Sequence, residues 1–280
     1  MIQKSFKNDV ATLFLVATPI GNLSEMSPRA VEVLKEVDLI AAEDTRNSQF
    51  LLKHFGIETA MMSYHDFNED KASEDILLKL AQGENIALIS DAGYPLISDP
   101  GYRVVQKVVN KGYNVVPISG SSAFLNALVA SGLVVHPFAC MGFLESKESS
   151  LIKQLNQIKD LNMTSIFYLS VHKVEKTLKI MYDVLGERNV CLARELTKKH
   201  EEFIRGPLSE VINMIEVQKG EYVIVVEAGE KEHLDSVTLL QKVEEFIEGG
   251  MKPSKAISKV AKEFDYSKND LYNAYHQTKE

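Results

Sequence analysis

Residues 88–105 read LISDAGYPLISDPGYRVV, and the eleven residues 91–101 hold two aspartates, two glycines and two prolines. A plain strand-to-helix turn needs one glycine or one Asx residue. The excess points to a backbone shaped around a ligand: glycine permits close approach, and proline removes freedom before binding. Three further stretches share this character: TPIGN (18–22), AEDTRNS (42–48) and SGSSA (119–123). Asp99-Pro100-Gly101 reads as the start of the next helix, with Asp99 as its cap.

Each of these stretches follows a short apolar run, and those runs must position them. The pattern predicts strands over 13–17, 38–42, 86–90 and 114–118, with helices near 28–36, 48–54, 101–110 and 122–131. Ser27-Pro28 is a strong helix start, since Ser caps and Pro lacks only an N–H that the first turn leaves unused. Strands alternating with helices at this spacing favour an α/β layer fold with a largely parallel sheet. All four stretches would then lie at the carboxyl edge of that sheet, where loops converge and helix N-termini point their N–H groups at ligands.

The segment SGLVVHPF breaks the helical pattern near 132–137. Beyond it come runs at 138–143, 165–169, 190–196, 202–205 and 222–227 with helices between them, and several follow one another with little between, so the second sheet should be mixed or antiparallel. From about Lys231 the strand signals stop, and Ser267 with Asp270 makes a capping box for a last helix. The expected division is an α/β domain over 1–133, a second over 134–230 and a small helical tail over 231–280.

With 280 residues, 45% hydrophobic and 25% charged, the composition is that of an ordinary globular protein large enough for two domains. No apolar run approaches the roughly 20 residues that span a bilayer, and the first residues lack a signal peptide's apolar core. The expectation is a cytoplasmic protein without a membrane partner. Cys140 and Cys191 are far apart and the seven histidines are scattered singly, so neither a disulfide framework nor a metal site is indicated. No dinucleotide fingerprint, phosphate loop, nucleophile elbow or zincin motif occurs. A net charge of −8 argues against coating DNA or RNA through bulk electrostatics, although a local basic surface remains open.

LFLVATPIGNLSEMSPRAVEVLKEVDLIAAEDTR, SYHDFNED, SDAGYPLISDPGYRVV and ARELTKKHEE, in that order and spacing, closely resemble the bacterial ribosomal-RNA cytidine 2′-O-methyltransferases. These belong to the tetrapyrrole-methylase-like, class III methyltransferases. The resemblance runs from about Leu13 to Gly229 and more loosely through the tail. It implies two α/β domains with S-adenosylmethionine (SAM) in the cleft between them, small-subunit ribosomal RNA as substrate, and a homodimer. It also implies that Pro19, Ile20 and Gly21 form one cofactor loop, Asp91, Ala92, Gly93 and Pro95 a second, and Ser121, Ser122 and Ala123 a third wall.

A sulfonium methyl is already activated, so attack by a ribose 2′-oxygen needs positioning and gains from a base that takes the hydroxyl proton. Asp44 and Glu43 in EDTR, His65 in SYHDFN and Glu195 in ARELTK are the candidate bases. Asp44 with Arg46 reads equally as a local salt bridge that shapes its loop. Arg46, Arg194, Lys198 and Lys199 are candidate phosphate contacts, against the alternative of solvated surface charges. In the tail, Lys252, Lys255, Lys259 and Lys262 step by 3, 4 and 3 onto one helix face, opposite Ile257, Val260, Ala261 and Phe264. That face reads either as an RNA contact or as the solvated side of a packed helix.

The chain departs from the family pattern at four places. Tyr94 stands where a small residue is usual, and SGSSA replaces PGPSA. Leu169-Ser170-Val171-His172-Lys173 replaces ESPHR, and Gly142-Phe143-Leu144-Glu145-Ser146-Lys147 replaces GFLPRK. Lost prolines loosen a turn, and lysine for arginine discards a bidentate phosphate fork. Two other functions stay open: a methyltransferase for a tetrapyrrole precursor on the same fold, and an inactive SAM-binding partner of the ribosome.

Overall fold

The computed structural model describes residues 2–5, 10–159, 161–170, 174–216, 219–229, 236–264 and 266–277. The first half builds a five-stranded sheet from β1 (Thr12–Val16), β2 (Leu39–Ala42), β3 (Met61–Ser63), β4 (Ile86–Ile89) and β5 (Asn114–Ile118). Their order is β3-β2-β4-β1-β5 and every pairing is parallel. Inner strands covered on both faces should be apolar throughout, and β2 (LIAA) and β4 (IALI) are wholly buried. Alternate residues serve opposite cores: Ile40, Ala87 and Ile89 pack with α1 (Pro28–Glu36) and α2 (Thr45–His54), while Leu39, Ile86 and Leu88 pack with α3 (Glu69–Ala81) and α4 (Tyr102–Asn110).

Local chemistry explains where these helices start. The Ser27 side chain accepts from the Ala30 N–H at 3.1 Å and Pro28 opens the first turn of α1. Asp44 caps α2 by accepting from the Arg46 N–H at 2.9 Å. Asp99 does not cap α4, contrary to the sequence expectation. The cap is Gly101, at φ 141°, with no side-chain cap hydrogen bond. Leu96 at φ 76° turns the chain, and a Cβ at Gly101 would stand 2.9 Å from the Leu96 Cδ1, so this bend is closed by packing.

The second half builds a mixed sheet from β6 (Phe138–Phe143), β7 (Thr164–Leu169), β8 (Asn189–Arg194), β9 (Glu202–Pro207) and β10 (Tyr222–Val226). Its order is β6-β7-β10-β8-β9, with only the β6–β7 pairing parallel. One face packs on α6 (Glu148–Ile158), α7 (Val174–Leu185) and α8 (Leu208–Met214). The other face, through Ile166, Cys191, Ala193, Val223 and Val225, meets Ile20 and α5 (Ala123–Ala130). That shared apolar layer joins the two halves and sets one wall of the cleft described below.

The tail is three helices, α9 (Ser236–Glu248), α10 (Pro253–Glu263) and α11 (Lys268–Gln277), around their own core of Leu239, Val243, Ile257, Val260, Leu271 and Tyr275. Ser267 accepts from the Asp270 N–H at 3.3 Å at the start of α11, as the capping-box reading expects. Among the described residues no helix is long and apolar enough to cross a membrane.

Candidate functional site

The four polar stretches lie where β1, β2, β4 and β5 end, and they are tied to one another. Thr18 and Gly93 exchange backbone hydrogen bonds at 2.9 and 3.0 Å, pinning TPIGN against SDAGYP. Gly93 sits at φ 81°, a conformation glycine adopts without penalty. The Tyr94 hydroxyl accepts from the Gly120 N–H at 3.2 Å, and Ser121 donates to Glu25 at 2.9 Å. A Cβ at Gly120 would lie 2.8 Å from that of Ala17, so this loop presses directly on the end of β1. Two of the departures thus meet: the loop lacking its prolines is held by hydroxyl groups, one of them from the unusual tyrosine.

These loops and the second sheet enclose a cleft of about 410 Å³, within the ~300–1,000 Å³ usual for small-molecule sites. Ile20, Asp91, Ala92, Gly93, Ser122 and Ala123 line it, as the sequence suggests. Pro19 and Pro95 are buried in the loops behind it. Gly21 faces outward onto Lys198, whose Cε a Cβ there would approach to 2.6 Å, and Ser121 is turned to Glu25. The opposite wall comes from Leu169, where the Leu169–Lys173 departure begins, and from residues the sequence reading did not single out: Tyr168 on β7, Leu196, and Tyr222 and Val223 on β10. Register places Tyr168 beside Val223. Strand alternation was visible in both runs, but nothing local says which face borders a cleft. Part of the Leu169–Lys173 departure, residues 171–173, lies outside the described residues.

None of Asp44, His65 and Glu195 lines this cleft. Asp44 is spent on its helix cap and on Arg46, whose guanidinium donates at 2.9 and 3.2 Å and holds the carboxyl at about 2. The local-bridge alternative is the one realised. His65 sits before α3, its backbone N–H bonded to Asn68 at 2.8 Å and its buried Nδ1 without a partner among the described residues. Glu195, at φ 50°, accepts from Lys198 at 3.1 Å and from the Glu221 N–H at 3.1 Å. Burial works against its charge, but these bonds outweigh it and lower its pKa.

The proposed phosphate contacts divide. Arg194 donates to Glu202 at 2.8 Å and to the Lys219 carbonyl at 3.4 Å, so it braces β8 against its neighbours instead of facing solvent. Lys198 bridges Glu195 and Glu221 at 3.1 and 2.9 Å; burial opposes its charge, yet the two carboxylates raise its pKa. The sequence reading did not foresee these bonds, because the partners come largely from chain segments 8 to 25 residues away. Arg46 is 87% exposed despite its bridge. Lys252, Lys255, Lys259 and Lys262 lie on one side of α10, while Ile257, Val260 and Ala261 are buried on the other. Lys259 lies 3.9 Å over the Phe246 ring.

Four acids line the cleft: Glu221, bridged to Lys198, on the second-sheet side, and three on the first, Glu43, Asp91 and Asp99. Among the described residues none of the three takes part in a salt bridge. Asp91 accepts from the Asn47 amide at 2.8 Å, and its N–H donates to Glu43 at 3.3 Å. Burial, then the charges of Asp91, Asp66 and Asp44, raise Glu43 against the opposing Asp91 N–H. Burial and then the Glu43 charge push Asp99 up to about 6, against a lowering from the Ser90 hydroxyl. No group of three or more acid, His or Cys side chains among the described residues is placed to hold a metal ion.

A family model of tetrapyrrole (corrin/porphyrin) methylases matches residues 12–212, from β1 into α8. The chain belongs to this family. The protein named ribosomal RNA small subunit methyltransferase I in Bacillus subtilis (strain 168) is 43% identical over 285 aligned residues, covering 98% of each chain. Its namesake in Halalkalibacterium halodurans is 43% identical over 279 residues, covering 97% of this chain and 96% of that one. A crystal structure of diphthine synthase matches with a TM-score of 0.59 at 12% identity, over 78% of this chain and 90% of that one, and so shares the fold. This tetrapyrrole methylase is therefore a methyltransferase, with its two sheets facing each other across the cleft that the four loops border.

Proposed function

We propose that the protein transfers the methyl group of SAM to the ribose 2′-oxygen of a cytidine in the decoding region of small-subunit ribosomal RNA. The observation that carries this reading is the 43% identity, nearly end to end, with two proteins named as small-subunit ribosomal RNA methyltransferases. The cleft fits the donor. Its apolar walls, Ile20, Ala123, Leu196 and Val223, suit a nucleoside, and its three unbridged carboxylates suit a molecule carrying sulfonium and ammonium charges. When bound, SAM supplies a methyl already activated for transfer. The chain's part is to hold the donor on backbone that is fixed beforehand, through the Thr18–Gly93 and Tyr94–Gly120 ties, and to exclude water from an apolar pocket.

For the RNA, Lys252 and Lys255 are informative. They sit at the N-terminal end of α10, where the helix dipole disfavours cations, so helix stability does not account for them. With Lys262 and Arg46 they offer phosphate contacts on an otherwise acidic protein, and Phe67, 98% exposed two residues after His65, offers a face on which an unpaired base can stack. The reading includes a homodimer working in the cytoplasm. Its test is incubation with methyl-labelled SAM and small subunits from cells lacking the modification, followed by nuclease mapping. Label on a cytidine ribose of the decoding region is the expected result; label on a base, or on no nucleotide, would contradict it.

A further inference from the structure

A second hollow adjoins the cofactor cleft. It is an open groove lined by Gly21, Asn22 and Leu23 from the chain after β1, and by Thr197, Lys198 and Lys199 from the turn after β8. The two sites share a rim. Ile20 and Leu196 line the cleft, and the next residue of each loop, Gly21 and Thr197, lines the groove.

The turn that forms one side of the groove is held in a costly shape. Thr197 sits at φ 69° and Glu195 at φ 50°. Left-handed backbone is uncommon outside glycine, a genuine outlier for a β-branched residue, and it collects at ligand sites. The Thr197 hydroxyl is buried with no hydrogen-bond partner among the described residues. Yet the turn is firmly fixed. The Thr197 N–H donates to Glu201 at 2.7 Å, and Lys198 bridges Glu195 and Glu221. The Lys198 stem lies across Gly21, where a Cβ would stand 2.6 Å from its Cγ, so the turn is seated on the first-half loop.

The acids of the turn are thus satisfied internally, and donors are left over. Asn22 Oδ1 accepts from the Ser24 N–H at 3.1 Å and from its hydroxyl at 2.7 Å, while the Asn22 amide nitrogen has no partner among the described residues. Lys199 is exposed and has no ion pair among the described residues. Leu23, 41% exposed, adds an apolar edge. A free cation and an amide donor beside an apolar edge match a phosphodiester and its sugar. We infer that this groove holds the backbone of the RNA strand that carries the acceptor ribose, with a phosphate bound by Lys199 and the Asn22 amide. The inference deepens the proposed RNA reading and rests on it. A strand anchored in the groove crosses the Ile20–Leu196 rim to bring a ribose into the cleft, and such positioning is what transfer from an activated donor needs.

The test uses the full chain with Lys199→Glu, Lys199→Gln and Asn22→Asp. Aspartate still accepts the Ser24 bond that starts the next turn, so the loop is kept while a donor becomes a negative charge. Three readouts are taken: SAM affinity by calorimetry, kcat and KM for unmodified small subunits at several salt concentrations, and binding of a single-stranded oligoribonucleotide with and without inorganic phosphate. Lys199→Glu and Asn22→Asp should raise KM for subunits about 10–100-fold, with kcat and SAM affinity within about threefold of wild type. Lys199→Gln should lower the salt slope of subunit binding by ~0.7–0.9, the worth of one phosphate. An unchanged KM in Lys199→Glu, beside a wild type that labels ribose, would overturn the groove and leave the reaction standing. Lost SAM affinity with an unchanged KM for subunits would make these loops cofactor supports and overturn it as well. Inorganic phosphate displacing the oligoribonucleotide at equal concentration would reduce the groove to a simple anion site, again overturning it. Oligoribonucleotide binding that Lys199→Glu abolishes, in a protein whose wild type labels no ribose, would overturn the transfer reading and support RNA in the groove.

Discussion

Two charged neighbourhoods flank the cleft, and they are built on opposite rules. On the second-sheet side, Arg194 pairs with Glu202, and Lys198 pairs with both Glu195 and Glu221, around a turn that holds Glu195 at φ 50° and Thr197 at φ 69°. On the first-sheet side, Glu43, Asp91 and Asp99 face one another with like charge and no bridging cation among the described residues. In the first set the pairing outweighs burial, so Glu195 is lowered and Lys198 raised, each toward its charged form. In the second set burial dominates, and the carboxyls of Glu43 and Asp99 move toward neutrality. The paired set holds a strained turn. The unpaired set stores electrostatic cost that a cationic ligand would relieve.

Breaking this contrast gives predictions of decreasing size. The largest effect is expected for Asp99→Asn, which removes a carboxylate from the cleft wall and should weaken SAM binding by roughly 10–100-fold, read by calorimetry. Next, Lys198→Ala strands Glu195 and Glu221 and should cost about 1–3 kcal/mol of stability, since the pair is only partly buried, read as a lower melting temperature. Tyr94→Phe removes one hydrogen bond between two cofactor loops, worth roughly 0.5–1.5 kcal/mol, and calorimetry should show SAM affinity reduced about 2–10-fold. Smallest, Asp44→Asn should change the transfer rate by less than about threefold, because its carboxylate serves an exposed bridge and a cap that asparagine also provides. A large rate loss there would favour EDTR as the source of the base. Separately, replacing Lys252, Lys255 and Lys262 with glutamine should weaken subunit binding and flatten its salt dependence, with SAM affinity unchanged. The slope should fall by up to ~0.7–0.9 for each phosphate no longer neutralised.

What the sequence made legible was local. The four loops announced themselves through Gly, Pro and Asx at strand ends, and α1 through Ser27-Pro28, because those residues act on their own backbone. The second sheet's mixed pairing was expected from closely spaced strands, yet only β8 and β9 follow each other without a helix, and β10 reaches its antiparallel places beside β7 and β8 from farther along the chain. The strand β3 and helix α3 were not foreseen: β3 has three residues at the sheet edge, and α3 begins at Asn68 without a side-chain cap. Asp99 was misread because Asp-Pro-Gly resembles a cap, while Leu96 and Leu88 packing against Gly101 decides otherwise. The bonds of Glu195 were not legible because they depend on the Glu221 backbone, 26 residues on. Long-range partners, not residue types, separate the bridged acids from the unbridged ones.

The contrast can be measured without any substrate. Asp99 has its pKa raised from 3.8 to about 6 on folding, so its ionised form is disfavoured in the native state. Its favourable contribution is present below the unfolded value and lost as pH rises through about 6. Glu195 is lowered, so its contribution is present above the unfolded value and lost only as pH falls through the folded one. The most direct measurement is therefore the melting temperature of Asp99→Asn and Glu195→Gln at pH 8, repeated at pH 4. At pH 8, Asp99→Asn should melt above wild type and Glu195→Gln below it, with the Asp99→Asn gain vanishing at pH 4. Changes of the same sign at pH 8 would contradict the division into a bridged scaffold and an unbridged reactive cleft.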